Sequence, residues 1–344
     1  MYDGSALSTG AARAWVTRPH AGQTSRMHPS SLHDRRLDRL FDALPPDRPF
    51  TRAEARRESV SDGHLRELVA HHYVRRALPG VYVSSGIPDS TGLRCECLAM
   101  VVPDDAVVCD RHAGWLHGAQ MVLAPDEHLE LRPISVFRTT RGRRLRNGLA
   151  DSGERALANE DVVEMHGLRV TSTLRTACDL GRSRYPANAI AAMDSMLRTG
   201  SFTKDDLLRA TATRFRGMRW VSTLRAIAPL TDRRSESPGE SVLRLRWIEA
   251  GLPDPEPQLP VVCDDGTVAY LDIGNRDLRY GAEYDGAEWH STPEQRDHDW
   301  ARRESCQDTG WLIDAFRRDN LYGRHADADS VMRRSADGRA RRAA

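Results

Sequence analysis

From residue 32 onward, apolar positions fall into helical and strand periods separated by short runs of turn chemistry. Leu32, Leu37, Leu40, Phe41 and Leu44 recur at helical spacing, and Pro45-Pro46 ends that helix. Residues 1–30 are rich in Gly, Ser, Thr and Ala and lack such a period, which predicts a disordered tail or an overextended start before Met27. Thr51 and Glu54 form a capping box, Ser61 or Asp62 caps a second helix, and β-rich segments flank Pro79-Gly80. Val107-Val108, Val162-Val163 and Leu168-Arg169-Val170 read as short strands, while 171–180, 187–198 and 204–210 read as helices. Residues 231–237 are polar and form a linker.

The most informative pattern follows that linker. Ser237-Pro238-Gly239-Glu240 opens a helix that Gly251 closes. Residues 267–273 form a strand, Gly274-Asn275-Arg276-Asp277 a turn, and residues 278–284 a returning strand. Side chains alternate along a strand, so Glu283 and Asp285 share a face that Tyr284 does not. Asp272, Glu283 and Asp285 are therefore expected to converge near the ends of one hairpin. Oxygen ligands at a strand end suit Mg²⁺ or Mn²⁺ and, with it, phosphodiester hydrolysis. Glu240 is either a helix-start residue or part of the metal shell, and Asp285-Gly286 and His290 each also fit an ordinary loop.

The set Asp272, Glu283-Tyr284-Asp285-Gly286, His290, Asp297 or Asp299, Arg302 and Gly310-Trp311 stands in one order along the last third of the chain. It resembles the PD-(D/E)xK restriction-endonuclease-like superfamily, in the branch near the very-short-patch-repair endonucleases. The resemblance implies a metal held by Asp272 and Glu283, with Asp285, Glu240 and His290 completing the catalytic group. Two departures stand out. Asp285 occupies the place of the superfamily's lysine, and the chain's one lysine is Lys204. His290 is then the candidate to activate water. Asp314, in Leu312-Ile313-Asp314-Ala315-Phe316, stands where an apolar or basic residue is expected.

The segment from Phe50 to Val83 orders helix, turn, helix and hairpin, the pattern of a winged helix, with Arg66 on the second helix and Arg75 and Arg76 at the wing. Arg75-Arg76 followed by Gly80-Val81-Tyr82 resembles the N-terminal domain of AbiEi-type antitoxins, and residues 91–232 resemble their middle portion. The resemblance implies double-stranded DNA as partner and a cognate toxin protein as a second one. A winged helix used for protein contacts is the alternative. Arg175 and Asp179 can pair at i,i+4 as structural residues, and His112 and His117, five apart, do not share a helix face and so suit packing or capping rather than a metal.

Composition refines this picture. A length of 344 residues predicts two or three domains. The expected architecture is a multidomain α/β protein: tail 1–30, winged helix-turn-helix 31–90, mixed α/β middle domain 91–232, and restriction-endonuclease-like α/β domain 233–344. Charged residues at 29%, hydrophobic residues at 40% and no membrane-length apolar run predict a soluble cytoplasmic protein without membrane contact. No small-molecule cofactor is expected. Six cysteines without a Cys-x-x-Cys pair predict reduced thiols. The net charge of +1 hides acid-free arginine blocks at 132–146 and 209–225, which suit phosphate. Two functions remain open: a DNA-binding Mg²⁺-dependent endonuclease, or a non-catalytic antitoxin-like repressor with a degenerate nuclease fold.

Overall fold

The computed structural model describes residues 32–123, 127, 133–139, 150–264, 266–286, 306 and 308–343. The chain is a multidomain mixed α/β protein that divides into two units. One holds the described residues up to His112 together with those from 131 to 171. The other holds those from 113 to 130 and from 172 onward, so the expected middle segment contributes to both. Among the described residues no helix is long and apolar enough to cross a membrane.

In the first unit, α1 (Leu32–Asp42), α2 (Arg52–Arg57) and α3 (Asp62–Ala70) pack with a three-stranded sheet of order β1-β3-β2, where β1 is Phe50–Thr51, β2 Val74–Leu78 and β3 Val81–Ser84. Capping explains the helix starts. Thr51 Oγ1 accepts the Glu54 amide while the Glu54 carboxylate accepts the Thr51 amide, and Ser61 caps α3 through the His64 amide. Leu37, Phe50, Leu65, Leu68 and Val74 close the core between helices and sheet. Gly80, at φ 81, makes the β2–β3 turn.

α4 (Thr91–Ala99) leads to a five-stranded mixed sheet of order β6-β5-β4-β8-β7. Its strands are β4 (Val107–Val108), β5 (Ile134–Arg138), β6 (Ala150–Glu154), β7 (Val162–Met165) and β8 (Leu168–Thr171). His112 is buried and accepts the Ser135 amide on Nδ1, and burial pulls its pKa down to about 4. That is the packing role expected of it.

The second unit begins its continuous part with α6 (Thr173–Gly181), which follows α5 (Asp110–Leu116) in chain order, then α7 (Pro186–Arg198), α8 (Lys204–Thr213) and α9 (Val221–Ile227). Arg175 and Asp179 pair at 2.8 Å inside α6. α10 (Pro238–Glu249) follows and is buried along most of its length. A buried ion pair between Arg244 and Asp194 ties it to α7, and Asp194 also accepts the Asp232 amide at 2.9 Å. Removing one partner of such a pair strands a buried charge, at a cost of roughly 3–5 kcal/mol.

The last sheet has the order β12-β11-β10-β9, from β9 (Glu256–Val262), β10 (Val268–Asn275), β11 (Tyr280–Tyr284) and β12 (Leu312–Phe316). β9, β10 and β11 run antiparallel, and β12 joins β11 in parallel. Trp247 of α10 stacks on Tyr280 with ring centroids 5.1 Å apart, joining the helix to the sheet. α11 (Arg318–Leu321) and α12 (Ala328–Ala343) complete the fold.

The thiol expectation is corrected here. Cys263 and Cys306 form a disulfide with Cα atoms 4.4 Å apart. The pair lies 43 residues apart in sequence, so neither residue's local context announces it. Cys95, Cys97, Cys109 and Cys178 are buried free thiols.

Candidate functional site

α10 starts where the sequence predicts, but its carboxylate does more than cap. Ser237 Oγ accepts the Glu240 amide at 3.1 Å. Glu240 Oε2 accepts not the Ser237 amide but that of Glu236 at 2.7 Å, and it also accepts Gln258 Nε2 at 3.0 Å. Burial pushes the Glu240 pKa above the usual carboxylate range, against the pull of these hydrogen bonds. The neighbouring Gly239 has a specific reason to be glycine, since a Cβ there would come within 2.0 Å of a Tyr284 ring carbon. The start of α10 thus rests directly on the end of β11.

Across β10–β11 the register pairs Ile273 with Ala282, so Asp272 and Glu283 stand one step further at the end of the pair. Asp272 Oδ2 accepts the Tyr284 amide at 2.6 Å, the carboxylate taking a bond that strand pairing would otherwise make. Glu283 is 4% exposed. On the other side of β10, Leu271 pairs with Leu259 and Ile273 with Pro257, which sets Gln258 opposite Asp272. Gln258 adopts a left-handed φ of 53 in mid-strand, an uncommon conformation for a non-glycine residue. Glu240, Gln258, Asp272 and Glu283 therefore belong to one neighbourhood, assembled from α10, β9, β10 and β11.

Asp285 does not join it as expected. Its Oδ2 lies 3.4 Å from Arg317 Nε, and its amide donates to the Phe316 carbonyl at 2.8 Å. Among the described residues no group of three or more His, Cys, Asp or Glu is placed to hold a metal ion, which corrects the expected convergence of three acids. Alternation along β11 ends at Tyr284, and Asp285 follows the β12 edge instead. His290, Asp297, Asp299, Arg302 and Arg303 lie outside the described residues. Asp314 is accounted for: its Oδ2 accepts the Tyr280 hydroxyl at 2.9 Å and the Ser335 hydroxyl at 2.7 Å, anchoring α12 to the sheet.

In the first unit, Arg66 is exposed on α3, with its Nε donating to the Asp62 carbonyl at 3.3 Å. Arg76 is exposed on β2, whereas Arg75 is half-buried and donates Nη2 to the Ile87 carbonyl at 2.9 Å. Consecutive strand residues face opposite ways, so Arg75 and Arg76 do not present one surface. Arg66 and Arg76 remain available to a phosphate; Arg75 holds the chain after β3.

No family model matches the chain. Two Mycobacterium tuberculosis proteins do: "Uncharacterized protein Rv2248" of strain H37Rv and "Uncharacterized protein MT2308" of strain CDC 1551, each 30% identical over 234 residues. The matched stretch covers 68% of this chain and 82% of each relative. The chain belongs to the family of these uncharacterized mycobacterial proteins.

The donor set bears on which metal the site can take. Mg²⁺ needs one or two carboxylates and keeps waters in its remaining positions, so Asp272 with Glu283 fits it, while a cage of three protein acids is not formed. Gln258 escaped the sequence reading because its signal is positional. Only the β9–β10 register, which sets it opposite Asp272, marks it out from any other polar strand residue. Arg317, which pairs with Asp285, was missed for the same reason.

Proposed function

We propose that this chain is a double-stranded-DNA-binding protein whose C-terminal residues form a PD-(D/E)xK-type endonuclease site hydrolysing phosphodiesters, with a winged helix at the N-terminus as its DNA-binding part. The observation that carries the reading is the pairing of Asp272 and Glu283 at the end of β10–β11, with Gln258 and Glu240 hydrogen-bonded beside them. The order α10, three antiparallel strands and a parallel β12 agrees with the resemblance seen in the sequence.

In this reading Asp272 and Glu283 hold Mg²⁺ or Mn²⁺, which when bound neutralises phosphate charge and lowers the pKa of water. The Gln258–Glu240 hydrogen bond ties β9 to α10, so that Asp272, opposite Gln258, keeps its place. His290 takes the proton of the attacking water as general base. Water adds across the phosphorus–oxygen bond, and the leaving oxygen is protonated from solvent. Arg66 and Arg76 bind duplex phosphates, giving affinity that falls with salt.

A second reading is favoured by one specific observation. The residue in the superfamily's lysine position, Asp285, is an acid, and its carboxylate pairs with Arg317 at 3.4 Å. That suits a non-catalytic repressor of the AbiEi type, acting with a cognate toxin. Incubation of supercoiled plasmid with the full chain and Mg²⁺ or Mn²⁺ separates the two. Nicking or linearisation that Asp272→Ala abolishes supports the nuclease; DNA retardation without cleavage, equal in the two proteins, supports the repressor.

A further inference from the structure

Away from the acidic neighbourhood, the second unit carries an arginine and aromatic surface that neither reading uses. No Asp or Glu occurs from Leu207 to Thr231, nor from Leu180 to Met193. The loop joining α8 to α9 is built around Phe215, which is 5% exposed and has the guanidiniums of Arg175, Arg182 and Arg214 at 5.3, 5.8 and 5.5 Å from its ring centroid. That anchor brings the α6–α7 turn and the α8–α9 loop to one place. Arg182 is neutralised by Asp179 at 2.7 Å, and Arg209, at the end of the block, by Asp206.

Each of the two segments carries an arginine–aromatic pair. Arg184 lies over Tyr185 at 5.6 Å, and Tyr185 is 58% exposed at the start of α7. Arg219 lies over Trp220 at 5.0 Å, and Trp220 is partly buried at the start of α9. Arg216 and Arg219 are exposed on the loop between. The loop holds three left-handed residues, Phe215 at φ 66, Gly217 at φ 72 and Trp220 at φ 60. Two of them carry aromatic side chains, for which that conformation is uncommon and persists only where surrounding structure enforces it.

We infer that this surface binds single-stranded or unpaired nucleic acid, with bases stacking on Tyr185 and Trp220 and phosphates contacting Arg184, Arg216 and Arg219. The chemistry selects that occupant. Arginine's planar fork matches phosphate, and exposed aromatic rings accept the π-face of any base, which a duplex keeps inside its stack. A site for duplex backbone alone has no use for an exposed tyrosine beside a partly buried tryptophan. The surface is separate from Asp272 and Glu283 in sequence and function, so the inference holds whether or not those residues cleave DNA.

The test uses the full chain and fluorescence anisotropy with a labelled oligothymidylate, a labelled duplex of equal length, and a labelled poly-glutamate peptide. The parent protein binds oligothymidylate at low salt. Tyr185→Ala weakens that binding by roughly tenfold, the share of one stacked base. Arg216→Ala with Arg219→Ala lowers the slope of log affinity against log salt by about 1.4, the loss of two single-strand phosphate contacts. Both variants keep the parent's melting temperature and its duplex affinity, and Tyr185→Phe restores oligothymidylate binding. No oligothymidylate binding at low salt overturns the inference, as does binding that all variants share equally. Capture of the acidic peptide in preference to oligothymidylate also overturns it and assigns the surface to an acidic protein partner.

Discussion

The Asp272 carboxylate accepts the backbone amide of Tyr284 at 2.6 Å, so the residue proposed to hold a metal also closes the strand pair that presents it. Asp272→Ala and Asp272→Asn should therefore part company. Alanine leaves the Tyr284 amide without its acceptor and is expected to lower stability by about 1–3 kcal/mol. Asparagine keeps an oxygen for that amide and stays near the parent. The rise in melting temperature on adding Mg²⁺ or Mn²⁺ should vanish in both. Thermal melts with and without the ion read the two effects separately, and an undiminished rise in the asparagine variant would remove Asp272 from the metal site.

Gly239 rests against the ring of Tyr284, and Gly239→Ala should force α10 away from β11. The expected loss is about 1–3 kcal/mol, typical of overpacking. Combining it with Tyr284→Ala should recover part of that loss, because the ring that the new methyl meets is gone. Urea midpoints of the single and double variants measure the coupling. Purely additive losses would show that the cost of the methyl does not come from the Tyr284 ring.

These relationships mark the boundary of what the sequence discloses. Thr51 with Glu54 is a local pair three residues apart whose cap follows from identity and spacing, while the second helix start leaves Ser61 and Asp62 open until the structure sets the His64 amide on Ser61. The β10–β11 hairpin is legible as two β-rich runs around turn residues, but its turn lies at 276–279 rather than 274–277, because Gly274 and Asn275 still pair with Gly281 and Tyr280. The partners of Glu240 and Asp285 were not legible. Gln258 and Arg317 lie 18 and 32 residues away from them, and only the pairing of β9 with β10 and of β11 with β12 brings them near. Asp314 looked anomalous as one residue of a strand, and becomes ordinary once Tyr280 and Ser335 are set around it.

Glu240 should leave a pH signature. Its ordinary pKa of 4.5 is raised in the folded chain, chiefly by burial, so the folded state holds the proton to higher pH than the unfolded state does. Its contribution to stability is fully present below the unfolded pKa and is lost as pH rises through the folded one. Relative to the parent, Glu240→Gln should lose least stability at neutral pH and most at pH about 4. Denaturation midpoints of the two proteins across that span give the difference curve; a flat curve would mean that burial is relieved in solution.

Arg75 and Arg76 should separate despite being neighbours. Arg76→Ala and Arg66→Ala are expected to weaken duplex binding and to lower the salt slope by about 0.9 each, with stability unchanged. Arg75→Ala removes the donor to the Ile87 carbonyl and should lower stability by about 1 kcal/mol while sparing the slope. Anisotropy titrations at several salt concentrations, paired with thermal melts, distinguish the roles. Equal slopes in the Arg66 and Arg76 variants and the parent would take the N-terminal segment out of DNA binding.

The disulfide between Cys263 and Cys306 spans the stretch that carries Asp272, Glu283 and Asp285, and this gives it a measurable weight. Closing a loop between residues 43 apart restricts the unfolded chain by about 4 kcal/mol in the chain-entropy account. Both sulfurs belong to a small apolar cluster with Leu259, Val261, Leu271 and Ile313, so reduction leaves two buried thiols in place rather than opening a cavity. Reduction, or Cys263→Ser with Cys306→Ser, should therefore lower the melting temperature by several degrees without abolishing folding. Alkylation of the denatured protein followed by mass spectrometry should count four reactive thiols before reduction and six after it, matching the four free cysteines and the one pair. Six thiols before reduction, in protein never exposed to a reductant, would mean that this pair is held as neighbouring thiols and contributes only its packing.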